Sequence, residues 1–228
     1  MAVIVILLVL ASLFNLVLTF IVWRRNYKSP MNIFYSLANL GVFFWTICEV
    51  GMFMPINDQM LRLSWIASYV SGAFIAANVA IFSFYFPFAK NVNKKLIFTI
   101  FLLFLVLLIF LLTSGIIVKP TVLSADFSLL ELRASLWGSV IYGVYLIIMF
   151  YIFFKNFIEK YLSVDGFAKS QIKLILVGVS ISLLVGLISN VIAPIYIGSM
   201  IGWLGPLSSV VMAFFAVHLL FFKQDKHI

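Results

Sequence analysis

Few residues in this chain have side chains suited to chemistry. Glu49 is the one acidic residue inside the apolar body of a long hydrophobic run. An ionisable group at membrane depth is costly to hold, so it is a functional candidate by default. Trp45 precedes it by one helical turn, and Trp65 and Tyr69 lie on the next run. Counted along a helix, Glu49 stands about 27 Å from Met31, near one interface. Asn190, on a later run, reaches a similar height. These five residues predict an outward-facing, aromatic-lined binding pocket with one carboxylate. At that height Glu49 could also simply reach water.

A second set is made of amides. Asn15 and Asn39 each lie about 12 Å from the opposite edge of their runs, and Asn78 about 15 Å. Three runs therefore carry one amide each in a common layer. Amides in hydrocarbon seek partners, and hydrogen bonds between helices contribute roughly 0.6–2 kcal/mol each. The spacing predicts a polar interhelical layer, either as structural glue or as the centre of a polar switch.

Other chemistries lack their residues. Cys48 is the only cysteine, and His218 and His227 are the only histidines, which is a poor supply for a metal site. No HExxH, GxSxG or P-loop pattern occurs. No Asp falls within a hydrophobic run, so an Asp-pair membrane protease has no candidates. No Lys falls within the body of the last run, where a retinal Schiff base would need one. The expectation is a protein with no enzymatic activity, cofactor or metal.

The elements that must position these residues follow from composition. The chain has 228 residues, 65% hydrophobic and 10% charged. Such a chain has too little polar surface to face water on all sides, and lipid is its natural solvent. Seven apolar runs reach the roughly 20 residues that a spanning helix needs: 3–23, 31–54, 63–88, 96–118, 135–154, 172–196 and 200–222. The predicted fold is an all-α, single-domain bundle of seven transmembrane helices, residues 1–228, in a plasma membrane. Its basic residues sit mainly in the first, third and fifth connections and in the tail. Only Arg62, Lys119 and Arg133 lie in the second and fourth. The positive-inside rule then predicts an outside N-terminus and a cytoplasmic C-terminus. The net charge of +8 is a topology signal of this kind, and nucleic acid is not an expected partner.

Small residues recur at intervals of four. Gly72 and Ala76 belong to such a stripe in the third run, and Gly178, Ser182 and Gly186 form one in the sixth. Each set falls on one helix face and predicts close helix packing. Gly205–Pro206 lies inside the seventh run, where it could bend the helix as a hinge or a packing kink.

Several of these positions form a wider pattern. The second run opens Asn32–Ile33–Phe34 and continues to Trp45 and Glu49. The third opens with Trp65 and closes in Phe82–Ser83–Phe84–Tyr85–Phe86–Pro87. The sixth opens Gln171–Ile172–Lys173 and closes Asn190–Val191–Ile192–Ala193–Pro194. The seventh carries Leu204–Gly205–Pro206–Leu207–Ser208–Ser209 and ends Ala216–Val217–His218–Leu219–Leu220–Phe221. This resembles the N-terminal seven-transmembrane region of bacterial sensor histidine kinases and diguanylate cyclases.

The resemblance implies a sensory input module, commonly dimeric, that detects an extracellular or membrane-borne signal. It implies Trp45, Glu49 and Trp65 as pocket residues and Gly205–Pro206 as the place where the last helix bends. In that family the last helix leads into a cytoplasmic output domain. Here the sequence ends at Ile228, so the expectation is a separate cytoplasmic kinase or cyclase as partner, or a longer parent chain. Two other readings stand beside it: a small-solute transporter, and a non-catalytic subunit of a membrane complex.

Overall fold

The computed structural model describes residues 2–54, 57–89, 92–113, 119–122, 130–133, 136–189 and 203–210. Among them are helices α1 (Ala2–Arg25), α2 (Pro30–Phe53), α3 (Asp58–Tyr85), α4 (Lys94–Thr113), α5 (Leu136–Ser163) and α6 (Gly166–Leu187). All six are long and apolar enough to cross a membrane. Large apolar side chains such as Val3, Phe98 and Ile147 stand exposed along them. Exposure of this extent suits lipid rather than water, and the helices fit a multi-pass membrane protein. Of the seventh run, residues 203–210 are described, and 204–210 are helical.

Local chemistry starts and stops the helices. Pro30 occupies the first turn of α2, where its missing N–H costs nothing. Asn57 caps α3 by accepting from the Met60 N–H at 2.9 Å. Asn93 does the same for α4, from Lys95 at 3.0 Å and Leu96 at 3.3 Å. Between α5 and α6 only Val164 and Asp165 intervene, and Gly166 takes φ +65°. That left-handed conformation is open to glycine without a steric penalty, and it lets α6 start at once.

Four boundaries differ from those expected. α5 runs to Ser163 instead of 154, and α6 begins at Gly166 instead of 172. α3 begins at Asp58 and ends at Tyr85. Hydropathy marks only the part of a helix that must dissolve in lipid. The backbone ladder continues into polar surroundings wherever no breaker intervenes. The fourth connection also differs from an open loop. Strands β1 (Lys119–Val122) and β2 (Leu130–Arg133) pair antiparallel within it, Lys119 opposite Arg133 and Val122 opposite Leu130. The body of the protein is helical, with this short ribbon between α4 and α5.

α2 packs between α1 and α3, and α3 packs on against α5 as well as α4. α5 in turn carries α6. The α3–α5 pairing skips one helix in the sequence and makes α3 the centre of the bundle. One end of the bundle bears Arg24, Arg25, Lys28, Lys94, Lys95 and Lys169 and is called the basic end below. There a phenylalanine stack joins α3 to α5. Phe82 and Phe86 lie 5.2 Å apart, Phe86 and Phe157 6.0 Å, and Phe153 and Phe157 4.5 Å.

Candidate functional site

Glu49 lies toward the end of α2, away from the basic end, and is 6% exposed. Its Oε1 accepts a hydrogen bond of 3.4 Å from Ser68 Oγ on α3, and the Trp45 indole N–H also reaches the carboxylate. The seam is tight here because Gly51 lets α2 approach Ser64, whose Oγ would stand 2.7 Å from a Cβ at that glycine. On α3, Trp65 and Tyr69 have ring centroids 5.8 Å apart. Tyr69 meets Tyr142 of α5 edge to face at 4.9 Å. A Cβ built at Gly72 would run into the Tyr142 hydroxyl, so this glycine sets how closely α5 can lie. One turn further on, Tyr145 donates to the Ala73 carbonyl at 3.1 Å.

Of the five expected pocket residues, Trp45 and Glu49 lie with Ser68 on the α2–α3 seam, while Trp65 and Tyr69 pack toward α5 beside Tyr142. Asn190 lies outside the described residues. The seam is closed around the carboxylate instead of opening as a cleft. On α3, Trp65 Nε1 is buried with no hydrogen-bond partner among the described residues. A carboxylate beside indoles and phenols can accept from a donor or attract a cation over a ring face. Among the described residues no group of three His, Cys, Asp or Glu side chains could hold a metal ion.

The three amides bond within their own helices, not between helices as expected of the polar layer. Asn15, Asn39 and Asn78 are all buried. Each donates to the carbonyl four residues back in its own helix: Asn15 to Ala11 at 2.8 Å, Asn39 to Tyr35 at 3.0 Å, and Asn78 to Phe74 at 2.8 Å. A carbonyl on the same helix is always within reach, whereas a partner on another helix needs the right rotation. Asn15 Oδ1 and Asn78 Oδ1 keep no partner among the described residues, nor do Tyr35 Oη and Ser36 Oγ in the same region. Below this layer Tyr35, Ala38, Val79, Phe153 and Ile175 line an apolar crevice. Its ≈ 10 Å³ is about enough for one water-sized sphere.

Packing at the small residues varies. Ala76 and Gly178 are buried, as their stripes predict. Ser182 Oγ donates to the Ser208 carbonyl at 2.9 Å, and Ser208 Oγ reaches the Ser182 carbonyl at 3.4 Å. This pair ties α6 to the helical segment 204–210, in which Gly205 and Pro206 are both buried. A Cβ built at Gly186 meets nothing within 4 Å among the described residues.

One residue carries more polar contacts than sequence reasoning suggests. Lys160, grouped there with the loop cations, lies inside α5 and is 2% exposed. Its Nζ donates to the carbonyls of Ser83 at 2.9 Å, Phe84 at 3.0 Å, Phe86 at 2.7 Å and Phe88 at 2.8 Å. One turn earlier Asn156 donates to Ser83 Oγ at 2.8 Å. Ser83 and Phe84 are among the last four residues of α3, whose carbonyls have no acceptor role left within the helix. The signal for this site is periodic. Tyr145, Met149, Phe153 and Phe157 are the buried stripe of α5, and Lys160 continues it three residues on. Asn32 serves α1 in the same way, donating to the Val22 carbonyl at 3.2 Å. Compared with known proteins, the chain matches no family model and no curated protein.

Proposed function

We propose that the chain is a membrane signal-reception module of seven helices, with its N-terminus outside and its C-terminus in the cytoplasm. The observation that carries this reading is Glu49, a carboxylate buried in a seam of hydroxyl and aromatic side chains at the end opposite the basic residues. Opening of that seam by a signal would move α3, which touches α2, α4 and α5 and so reaches most of the bundle. A ligand shifts such an equilibrium only through its different affinity for the two states. The α2–α3 seam has that capacity, because a donor or cation would find the carboxylate only when the seam is open. The response passes to a separate cytoplasmic kinase or cyclase, and the module works as a homodimer.

The test is crosslinking in native membranes, affinity purification and mass spectrometry. Recovery of a soluble kinase or cyclase bound at the cytoplasmic face is the expected result. Recovery of the protein without such a partner, together with solute flux in reconstituted liposomes, would replace reception by transport.

A further inference from the structure

We infer that the end of α3 is a monovalent-cation site built of backbone carbonyls, and that the Lys160 ammonium is its built-in occupant. Four carbonyl oxygens, from Ser83, Phe84, Phe86 and Phe88, converge on one nitrogen at 2.7–3.0 Å. An ammonium has three N–H bonds to give, so at least one must be shared. The oxygens outnumber the donors. Such a set suits a compact charge more than a group with fixed donor directions. The C-terminal end of a helix adds to this, because its dipole places partial negative charge at the same carbonyls.

The surroundings are those of an ion site. Lys160 is 2% exposed, and its nitrogen stands 5.3 Å from the centroid of the Phe88 ring. Phe86 and Phe157 close the adjoining space as a stacked pair. Carbonyl rings of this kind replace the hydration shell of potassium in selective channels. Ammonium and potassium ions are close in size, and a lysine head group is an ammonium on a tether. Supplying the cation from α5 links occupation of the site to the α3–α5 contact, so the ion never has to be recruited from solution. Removing the tether should leave a site that free ammonium or potassium can fill.

The test is thermal unfolding of the full chain in lipid nanodiscs, wild type against Lys160→Ala, at constant ionic strength. The salts are ammonium, potassium, sodium and tetramethylammonium chloride. In tetramethylammonium chloride, Lys160→Ala is expected to melt about 5 °C or more below wild type. Ammonium and potassium should restore at least half of that loss with a saturating dose dependence. Sodium should restore less, and the wild type should respond to none of them. Equal effects of all four salts on Lys160→Ala would overturn the proposal. If that variant cannot be recovered, Lys160→Met decides, since it fills the same volume without a charge. Melting with the wild type would overturn the site. A comparable loss that no salt reverses, because the methionine side chain blocks entry, is the expected result.

Discussion

Gly72 and Tyr142 offer a test of the α3–α5 packing in which a substitution reverses its sign. A Cβ at Gly72 would collide with the Tyr142 hydroxyl, while the next atom of that ring, Cζ, stands 3.7 Å away in ordinary contact. Alanine in place of glycine within a helix gains about 1 kcal/mol of propensity. Overpacking a tight contact costs typically about 1–3 kcal/mol. Gly72→Ala alone should therefore be destabilising, by up to about 2 kcal/mol. In a Tyr142→Phe background the colliding oxygen is gone and only the propensity gain remains. There Gly72→Ala should stabilise by about 1 kcal/mol. For a chain of this length that corresponds to a rise of about 2–4 °C in melting temperature, against a fall in the wild-type background. The measurement is a double-mutant cycle by thermal unfolding in nanodiscs. The coupling energy expected from the cycle is about 1–3 kcal/mol. Gly72→Ala having the same sign in both backgrounds would refute the contact and with it the spacing of α5 against the Trp65–Tyr69 ladder.

Other outcomes follow from the same geometry. Asn156→Ala and Ser83→Ala should each lower stability, and their combination should cost less than the sum, with a coupling of about 0.5–2 kcal/mol; additive losses would mean the bond of 2.8 Å is not made. Ser182→Ala should cost about 0.6–2 kcal/mol by removing the donor that ties α6 to segment 204–210, and an unchanged melting temperature would remove that tie. Glu49→Cys in a Cys48→Ser background should react with an impermeant thiol reagent added outside, slowly because the seam is closed. Complete protection over hours would retire the outer site. A reporter fused after Ile228 should be active only in its cytoplasmic form, and alkaline phosphatase activity of such a fusion would reverse the proposed orientation.

The candidate site was partly legible in the residues themselves. Glu49 stood out because a lone carboxylate in an apolar run is rare, and it lies buried where the run count puts it, near one end of α2. Its partner Ser68 lies four residues before Gly72, and nothing in the spacing says which face of α3 meets α2. Residue counting puts Asn15, Asn39 and Asn78 at a common depth, yet their bonds run along their own helices. Depth depends on distance along the chain. Partner choice depends on helix rotation, which no linear pattern records.

What the sequence determined by itself is the solvent and the class of fold. Transfer of side chains and backbone into lipid is a local cost, paid or avoided run by run, so long apolar segments lead directly to membrane-length helices. The start of α2 at Pro30 falls within one residue of its apolar run, whereas α3, capped by Asn57, begins at Asp58, five residues ahead of its run. Only the tertiary structure decided that α3 lies beside α5, although α4 separates them in the chain. That adjacency sets Tyr142 over Gly72 and brings Asn156 to Ser83. It also turns Lys160, one basic residue among several near a helix end, into a buried cation held by four carbonyls. The physical reason is that unsatisfied carbonyls at the end of α3 specify a need for a donor without specifying its origin. The donor is fixed by which helix packs there, and that is a property of the whole bundle.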